Sequence, residues 1–451
     1  MRLRDLVLIL VLAAVMMLTP AALADDVEVE PYPEALRISV TRETWTAEDG
    51  RTCEVSVADT ALDAVDSQLR QLEEELWAKA LETATAEQQI EVEVSYRISG
   101  DRWAGFLLTG RVLDLTYEND YEVRTTVYLD YRMLTFDMIT GDPLTLGSVF
   151  PAESPAWEKI AALVREDLLN FYAHEMKDMD VLDSLCAYEV LKDKPFMPSA
   201  GRLLIATPLW SLHPDHWQLV NTALPYPDFR QWMGEEALYQ TDNSHRPIIA
   251  ITYDDGPMRV HTERILNTLN AHGASATFFC IGRSVAMWPD IVRRELDYGH
   301  TVGSHTYKHK YEFQVTTEYL REDRLQCLQL HRELTGLAPE LFRAPGGNCE
   351  KYVNEEIGWP IILWCFSAGD TGNNNAYQLA DRIVRNAKDG YIILMHDIKQ
   401  KTAKGSEMFF SQLAEKGFLF ATVEELLYLH GITPEANTIY RDALTPPSTE
   451  P

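Results

Sequence analysis

Asp254 and Asp255 stand side by side before Gly256-Pro257, and His305 and His309 stand four residues apart. Two imidazoles at this spacing can share one face of a helical turn. With one carboxylate they make a two-His, one-carboxylate site that leaves room for water, the open arrangement of catalytic zinc. Asp255 is the natural third ligand. A divalent metal held there, zinc above all, would lower the pKa of its water from about 15.7 toward about 7. Asp254, aimed inward by the Gly256-Pro257 turn, would take the proton of the attacking water. His396 could then protonate a leaving amine, with Asp370 to orient it and raise its pKa. Arg343 would hold Asp254 ionised and in place. Each fragment alone has a plainer reading: a chance pair of histidines, a turn at Asp-Asp-Gly-Pro, a surface arginine, and a loop at Ser367 to Gly372.

What argues for chemistry is where these residues fall. From Pro247 onward, short apolar stretches alternate with helical ones. The strand candidates are Ile248–Tyr253, Ala276–Phe279, Thr301–Gly303, Leu341–Arg343, Ile361–Phe366, Tyr391–Met395 and Leu419–Thr422. Helical stretches include Thr262–His272, Trp288–Tyr298, Thr317–Thr335, Ala376–Lys388 and Glu407–Lys416. Alternating β and α units predict a parallel sheet, and seven of them predict a closed or nearly closed βα barrel. Asp254 and Asp255, His305 and His309, Arg343, Asp370, and His396 with Asp397 each follow a different strand. Five strands thus deliver titratable groups at their C-terminal ends, where barrel enzymes build active sites.

The region before this barrel, residues 25–242, has another texture. Glu91–Ile98, Arg102–Tyr117 and Tyr121–Phe136 read as half-buried strands, Asp63–Gln88 and Ala156–Tyr172 as helices. This predicts a smaller α+β domain with an antiparallel sheet. His213 and His216 flank Asp215, but Pro208, Pro214 and Trp217 around them read as a turn rather than a metal site. Tyr239 to Arg246 is polar and reads as a linker. Residues 247–431 form the predicted α/β catalytic domain, and residues 432–451, rich in Pro, Thr and Glu, a loose tail.

Met1 to Ala24 has the layout of a secretory signal peptide: Arg2 and Arg4, an apolar run from Leu6 to Leu18, then Ala22-Leu23-Ala24. An uncleaved anchor is the rival reading, although the run falls short of the roughly 20 residues a membrane span needs. Cleavage would leave no further span and make the chain secreted or cell-surface associated. It would remove two positive charges and one negative, taking the formal net charge from −29 to −30. Such acidity excludes nucleic acid as a natural partner, since phosphates demand a basic surface. Six cysteines in 451 residues are too few for a disulfide scaffold. Cys280 and Cys365 read as buried strand residues, while Cys53–Cys186 and Cys327–Cys349 are possible bridges in an exported protein.

The motifs carry a resemblance. Thr252-Tyr253-Asp254-Asp255-Gly256-Pro257, His305-Thr306-Tyr307-Lys308-His309, Arg343-Ala344-Pro345-Gly346-Gly347 and Leu394-Met395-His396-Asp397 occur in order over nearly all of Pro247 to Gly431. In this the chain resembles the NodB-type polysaccharide deacetylases, carbohydrate esterase family four. The resemblance implies a distorted (β/α) barrel, Asp254 as base, and Asp255, His305 and His309 on zinc or a similar divalent metal. It also implies His396 as acid and Leu394 lining a pocket for the acetyl methyl group. The fourth motif departs: Trp364 is kept, Ser367 and Thr371 replace an Asp and a Trp, and Asp370 survives. That puts substrate preference in doubt, not reaction type. Tyr121–Phe150 with its following helix resembles a domain found before some Gram-positive peptidoglycan deacetylases and in lysozyme-sensing anti-sigma factors. The implied activity is removal of acetyl groups from N-acetylglucosamine or N-acetylmuramic acid of peptidoglycan. An O-acetyl esterase and a wall-binding sensor with an inactive barrel are the alternatives.

Overall fold

The computed structural model describes residues 32–118, 121–171, 178–354 and 357–450. The expected leader, residues 1–24, and Tyr172 lie outside them. The first half is built on a five-stranded sheet in the order β1 (Ser39–Thr46), β2 (Thr52–Asp59), β3 (Gln89–Ser99), β4 (Trp103–Glu118) and β5 (Tyr121–Asp137). The sheet is mixed, not antiparallel throughout: β2 and β3 run parallel while every other pair is antiparallel. The reason is helix α1 (Asp63–Thr83), which carries the chain back along the sheet between them, the crossover a parallel pair needs. Its residues Val65, Leu69, Leu76 and Ala80 are fully buried along one face, with Leu72 partly buried beside them.

A second layer follows, with helix α2 (Ala156–Asn170) and a small antiparallel sheet of β6 (Met197–Pro198), β7 (Arg202–Pro208) and β8 (Leu219–Pro225). The polar stretch Tyr239 to Arg246 is no free tether. Asn243 is buried, donates to Ala200 O and Ser99 Oγ, and accepts from Gly100 N, while Arg246 pairs with Asp101 at 2.8 Å. Two of the eight residues of apparent linker thus make four polar contacts that fix the chain.

The second half opens with β9 (Ile248–Asp254), buried along its whole length. Helix α3 (Arg259–Ala271), β10 (Thr277–Cys280), helix α4 (Pro289–Asp297), β11 (Thr301–Ser304) and helix α5 (Thr317–Thr335) follow. Next come β12 (Ile361–Ile362), β13 (Phe366–Ser367), helix α6 (Ala376–Asn386), β14 (Ile392–His396), helix α7 (Gln400–Glu415), β15 (Leu419–Ala421) and helix α8 (Val423–Leu429). Strands β11-β10-β9-β14-β13 lie side by side and parallel, and β15 joins the base of β9. The expected strand Leu341–Arg343 is reduced to bridges from Phe342 to Ser304 and Ile361. The expected strand Ile361–Phe366 is split: its first half meets Phe342, its second half pairs with β14. Residues 361–367 thus touch both ends of the curved sheet.

Alternation decides which side chain faces where. Ile248, Ala250 and Ile392 point inward with Phe279, Leu341 and Ile362, while Ile249, Ile251 and Tyr253 pack outward against Ile265, Leu269, Phe409 and Phe410. The inner cluster runs on into the first sheet through Val92, Phe106, Leu426 and Leu427. Buried charge crosses the same boundary. Arg294 of α4 contacts Glu93 of β3 at 2.7 Å, and Arg111 of β4 contacts Asp297 at 3.1 Å and Glu93 at 3.2 Å, with the Tyr298 hydroxyl donating to Glu93. The end of the chain is not loose either. Strand β16 (Ile439–Tyr440) is buried and pairs with β12, because Ile439 and Tyr440 supply the apolar edge that the Pro-rich composition hides.

All six cysteines are free thiols, so neither expected bridge forms. Cys53 and Cys186 belong to different cores. Cys365 is exposed, since the break between β12 and β13 turns it outward, whereas Cys280 is buried as expected. Among the described residues no helix is long and apolar enough to cross a membrane.

Candidate active site

Strand β9 ends by turning Asp254 and Asp255 in different directions, because Asp255 takes a left-handed conformation with φ 78°. Asp254 is 3% exposed and its Oδ1 lies 2.8 Å from Arg343 Nη1. Arg343 is wholly buried. Its Nε donates to Ile362 O, its Nη2 to Leu363 O, and its Nη1 also to Thr252 Oγ1, and its guanidinium lies 4.1 Å from the Phe279 ring centre. Burial pulls its pKa below the ordinary arginine value, opposed by the charge and hydrogen bond of Asp254. An arginine starts so high that it stays cationic, so it gives the Asp254 carboxylate a fixed counter-charge and donor. Thr252 in turn donates to Ile393 O, tying β9 to β14 beneath the site.

His305 follows β11 and is 1% exposed. Its Nδ1 lies 2.7 Å from the carbonyl oxygen of Arg343. A carbonyl only accepts, so Nδ1 carries the proton and Nε2 presents a lone pair. Burial, first, lowers its pKa below the usual histidine value, against the pull of Asp254 and Asp255. The neutral form that a metal ligand requires is therefore favoured. His309 reaches the same place by a route different from the helical turn expected of the spacing. Thr306 and His309 both adopt positive φ, 65° and 53°, and Thr306 Oγ1 accepts from His309 N. The intervening loop, not a helix face, brings the two rings to 5.0 Å.

Asp255 Oδ1 lies 3.3 Å from His309 Nε2 and 3.7 Å from His305 Nε2. It is buried and has no hydrogen-bond partner. Among the described residues, Asp255, His305 and His309 are the one set of three His, Cys, Asp or Glu side chains whose ligand atoms all lie within 4.8 Å of one another. His213, Asp215 and His216 form no such set. Two nitrogens and one oxygen, one of them an otherwise orphaned buried carboxylate oxygen, fit a divalent ion of the zinc type.

Across the mouth, His396 ends β14. Its Nδ1 lies 2.9 Å from Asp370 Oδ1, and its main-chain N donates to Asp370 Oδ2 at 2.7 Å. Thr402 Oγ1 completes the cradle at 2.8 Å. Burial alone would lower the His396 pKa. The hydrogen bond and charge of Asp370 outweigh it, with Asp254 and Asp255 adding, so the pKa rises above the usual histidine value. For Asp370, burial pushes up but those hydrogen bonds and the His396 charge win, and its pKa falls. The arrangement favours the protonated imidazole, with Nδ1 engaged by Asp370 and Nε2 left to act as a general acid. Leu394, two residues before His396 on the same strand face, is 6% exposed.

The structure thus brings Asp254, Asp255, His305, His309, Arg343, Asp370 and His396 to one end of the sheet. Sequence reasoning gave no role to Thr252, Thr402 or Asp397. Thr252 was visible in the first motif; Thr402 carries no local signal. Asp397 is fully buried, donor-bonded by Thr262 at 2.5 Å, and pushed up to about 7 by burial. A Cβ on Gly256 would come within 1.9 Å of its Oδ2, so only glycine fits there. On the opposite wall, Gly346 and Gly347 have φ of 70° and 79°, and Trp364 leans to 3.0 Å from where a Cβ of Gly347 would be.

Comparison with known proteins finds relatives of the second half of the chain. The family model described as polysaccharide deacetylase matches residues 241–358. A peptidoglycan-N-acetylglucosamine deacetylase of Bacillus cereus is 34% identical over 200 residues, covering 42% of this chain and 92% of that protein. The peptidoglycan-N-acetylglucosamine deacetylase PgdA of Listeria monocytogenes is 39% identical over 178 residues, 40% of this chain and 38% of its own. The peptidoglycan-N-acetylmuramic acid deacetylase PdaC of Bacillus subtilis is 28% identical over 187 residues, 42% of this chain and 40% of its own. The chain belongs to the polysaccharide deacetylases, hydrolases that act on N-acetyl amide bonds. It spans less than two fifths of the length of the Listeria relative.

Proposed function

We propose that this chain is an exported, metal-dependent N-deacetylase of peptidoglycan, releasing acetate from N-acetylglucosamine or N-acetylmuramic acid. The observation that carries the reading is the convergence of Asp255, His305 and His309 on one point. Arg343-bound Asp254 lies on one side of it and Asp370-bound His396 on the other. The curved parallel sheet, joined at both ends through residues 361–367, supports a distorted (β/α) barrel of residues 247–431.

Asp255 Oδ, His305 Nε2 and His309 Nε2 would hold the ion, zinc being the best match to this donor set. A bound divalent ion supplies an acidified water and a Lewis-acidic contact for the carbonyl oxygen. Asp254 Oδ2, 3.7 Å from His305 Nε2, accepts the proton of the attacking water. Arg343 holds it in place and supplies a counter-charge by pairing with Oδ1. His396 then gives its Nε2 proton to the departing sugar amine, and Asp370 holds the imidazole by Nδ1. Leu394 packs the apolar side on which an acetyl methyl would rest. The leader expected at residues 1–24 from their sequence supports delivery outside the membrane, where the glycan is. The test is acetate release from purified peptidoglycan, chitooligosaccharides and acetylxylan with metal present. Release from peptidoglycan above the others is expected, and inactivity on all three rejects the reading.

A further inference from the structure

One exposed feature lies beside these catalytic groups with no part in the chemistry. Tyr311 and Phe313 stack face to face, ring centres 5.5 Å apart and planes 13° apart. Phe313 is 71% exposed, and Tyr311 meets the ring of His309 edge-on at 5.4 Å. Single exposed apolar residues need no explanation, but a parallel pair held at the rim of a site is a different matter.

The pair is held. Lys351 Nζ donates to the carbonyls of Glu312 and Val315, Glu312 Oε2 accepts from Lys351 N, and Tyr311 N donates to Gln314 Oε1. Tyr311 lies so close over Gly346 that a Cβ there would come within 2.8 Å of the ring. The turn Pro345–Gly347 therefore has Tyr311 on one flank and Trp364 on the other. Clamped backbone and rigid two-torsion side chains lose little entropy on binding. A flat aromatic face is complementary to the C–H face of a pyranose, which shields both from water while the sugar hydroxyls stay solvated.

We infer that Tyr311 and Phe313 form a stacking subsite for a pyranose ring of the glycan, the unit next to the one whose acetamide is cleaved. This rests on the proposed reading of the site as glycan-directed. The subsite binds chain length rather than the reacting group, so it acts through KM on oligomers.

The test uses the full chain loaded with metal, and chitotetraose against monomeric N-acetylglucosamine. Phe313→Ala should raise KM for the tetramer about five- to tenfold with kcat and metal content unchanged. It should leave kcat/KM on the monomer unaltered, and Phe313→Trp should restore the tetramer KM. An unchanged tetramer KM overturns the subsite, and so does an equal loss on monomer and tetramer, which would trace to disturbance of His309. Should the wild type release no acetate from either sugar, the proposed activity on these glycans fails by itself. Calorimetric binding of chitotetraose then decides the subsite: weaker binding by Phe313→Ala upholds it, and equal or absent binding overturns it.

Discussion

The ring of His305 and the main chain of Arg343 are joined by a 2.7 Å hydrogen bond, from Nδ1 to the carbonyl oxygen. One residue therefore does two jobs: its backbone fixes the tautomer of His305, and its side chain pairs with and positions Asp254 at 2.8 Å. The two jobs can be separated by mutation, because only the second depends on the side chain.

Arg343→Met should leave metal affinity within a few-fold while lowering kcat at least about 10²-fold, since the base loses its counter-charge. It should also cost about 3–5 kcal/mol of stability, the usual effect of stranding a buried charge. Metal titration, kinetics and urea unfolding on the same preparation check this. Loss of metal binding in step with activity would contradict the division.

Asp254→Asn should bind metal as the wild type does and lose roughly 10²–10⁴ in rate. The carboxamide is isosteric and keeps an oxygen for Arg343, so folding is preserved. Full turnover with full metal loading rejects Asp254 as the base.

The pair of Asp370 and His396 predicts a pH effect. His396 works protonated, and Asp370 holds its pKa above the ordinary value. Activity is lost as pH rises through that pKa, so Asp370→Asn should move the alkaline limb of kcat/KM to lower pH. A limb that stays in place assigns the acid to another group.

Buried Glu93 predicts acid sensitivity. Burial opposes its ionisation, but Arg294 and Arg111 bring its pKa down to about 2. A carboxylate depressed in the folded state stabilises it above the unfolded pKa of about 4.3, and that contribution fades as pH falls toward the folded value. Glu93→Gln should flatten the stability curve between those values. Because Glu93 sits in the first sheet and Arg294 beside the second, the wild type should unfold in one transition by tryptophan fluorescence and by circular dichroism. Two separate transitions would contradict the shared core.

Much of the site was legible because the strands that carry it are short apolar runs ending in the residues that react. β9 (Ile248–Asp254) and β14 (Ile392–His396) each run one residue past the end expected of them, onto the reactive side chain itself. Legibility failed where long-range packing decides. Nothing near Thr402 says that it will donate to Asp370, 32 positions away. The His305 and His309 spacing pointed to the right pair by the wrong conformation, since a loop with two positive φ values does what a helix turn would. The buried β16 was hidden by polar neighbours, and the parallel pairing of β2 with β3 depended on which way α1 returned the chain.

The most direct measurement is calorimetric titration of Zn²⁺ into the chelator-stripped chain, wild type against Asp255→Ala. The account predicts one ion bound per wild-type chain and no binding at that site in the variant, whose two remaining imidazoles have lost their anionic partner. One ion bound with equal affinity by both proteins would contradict it.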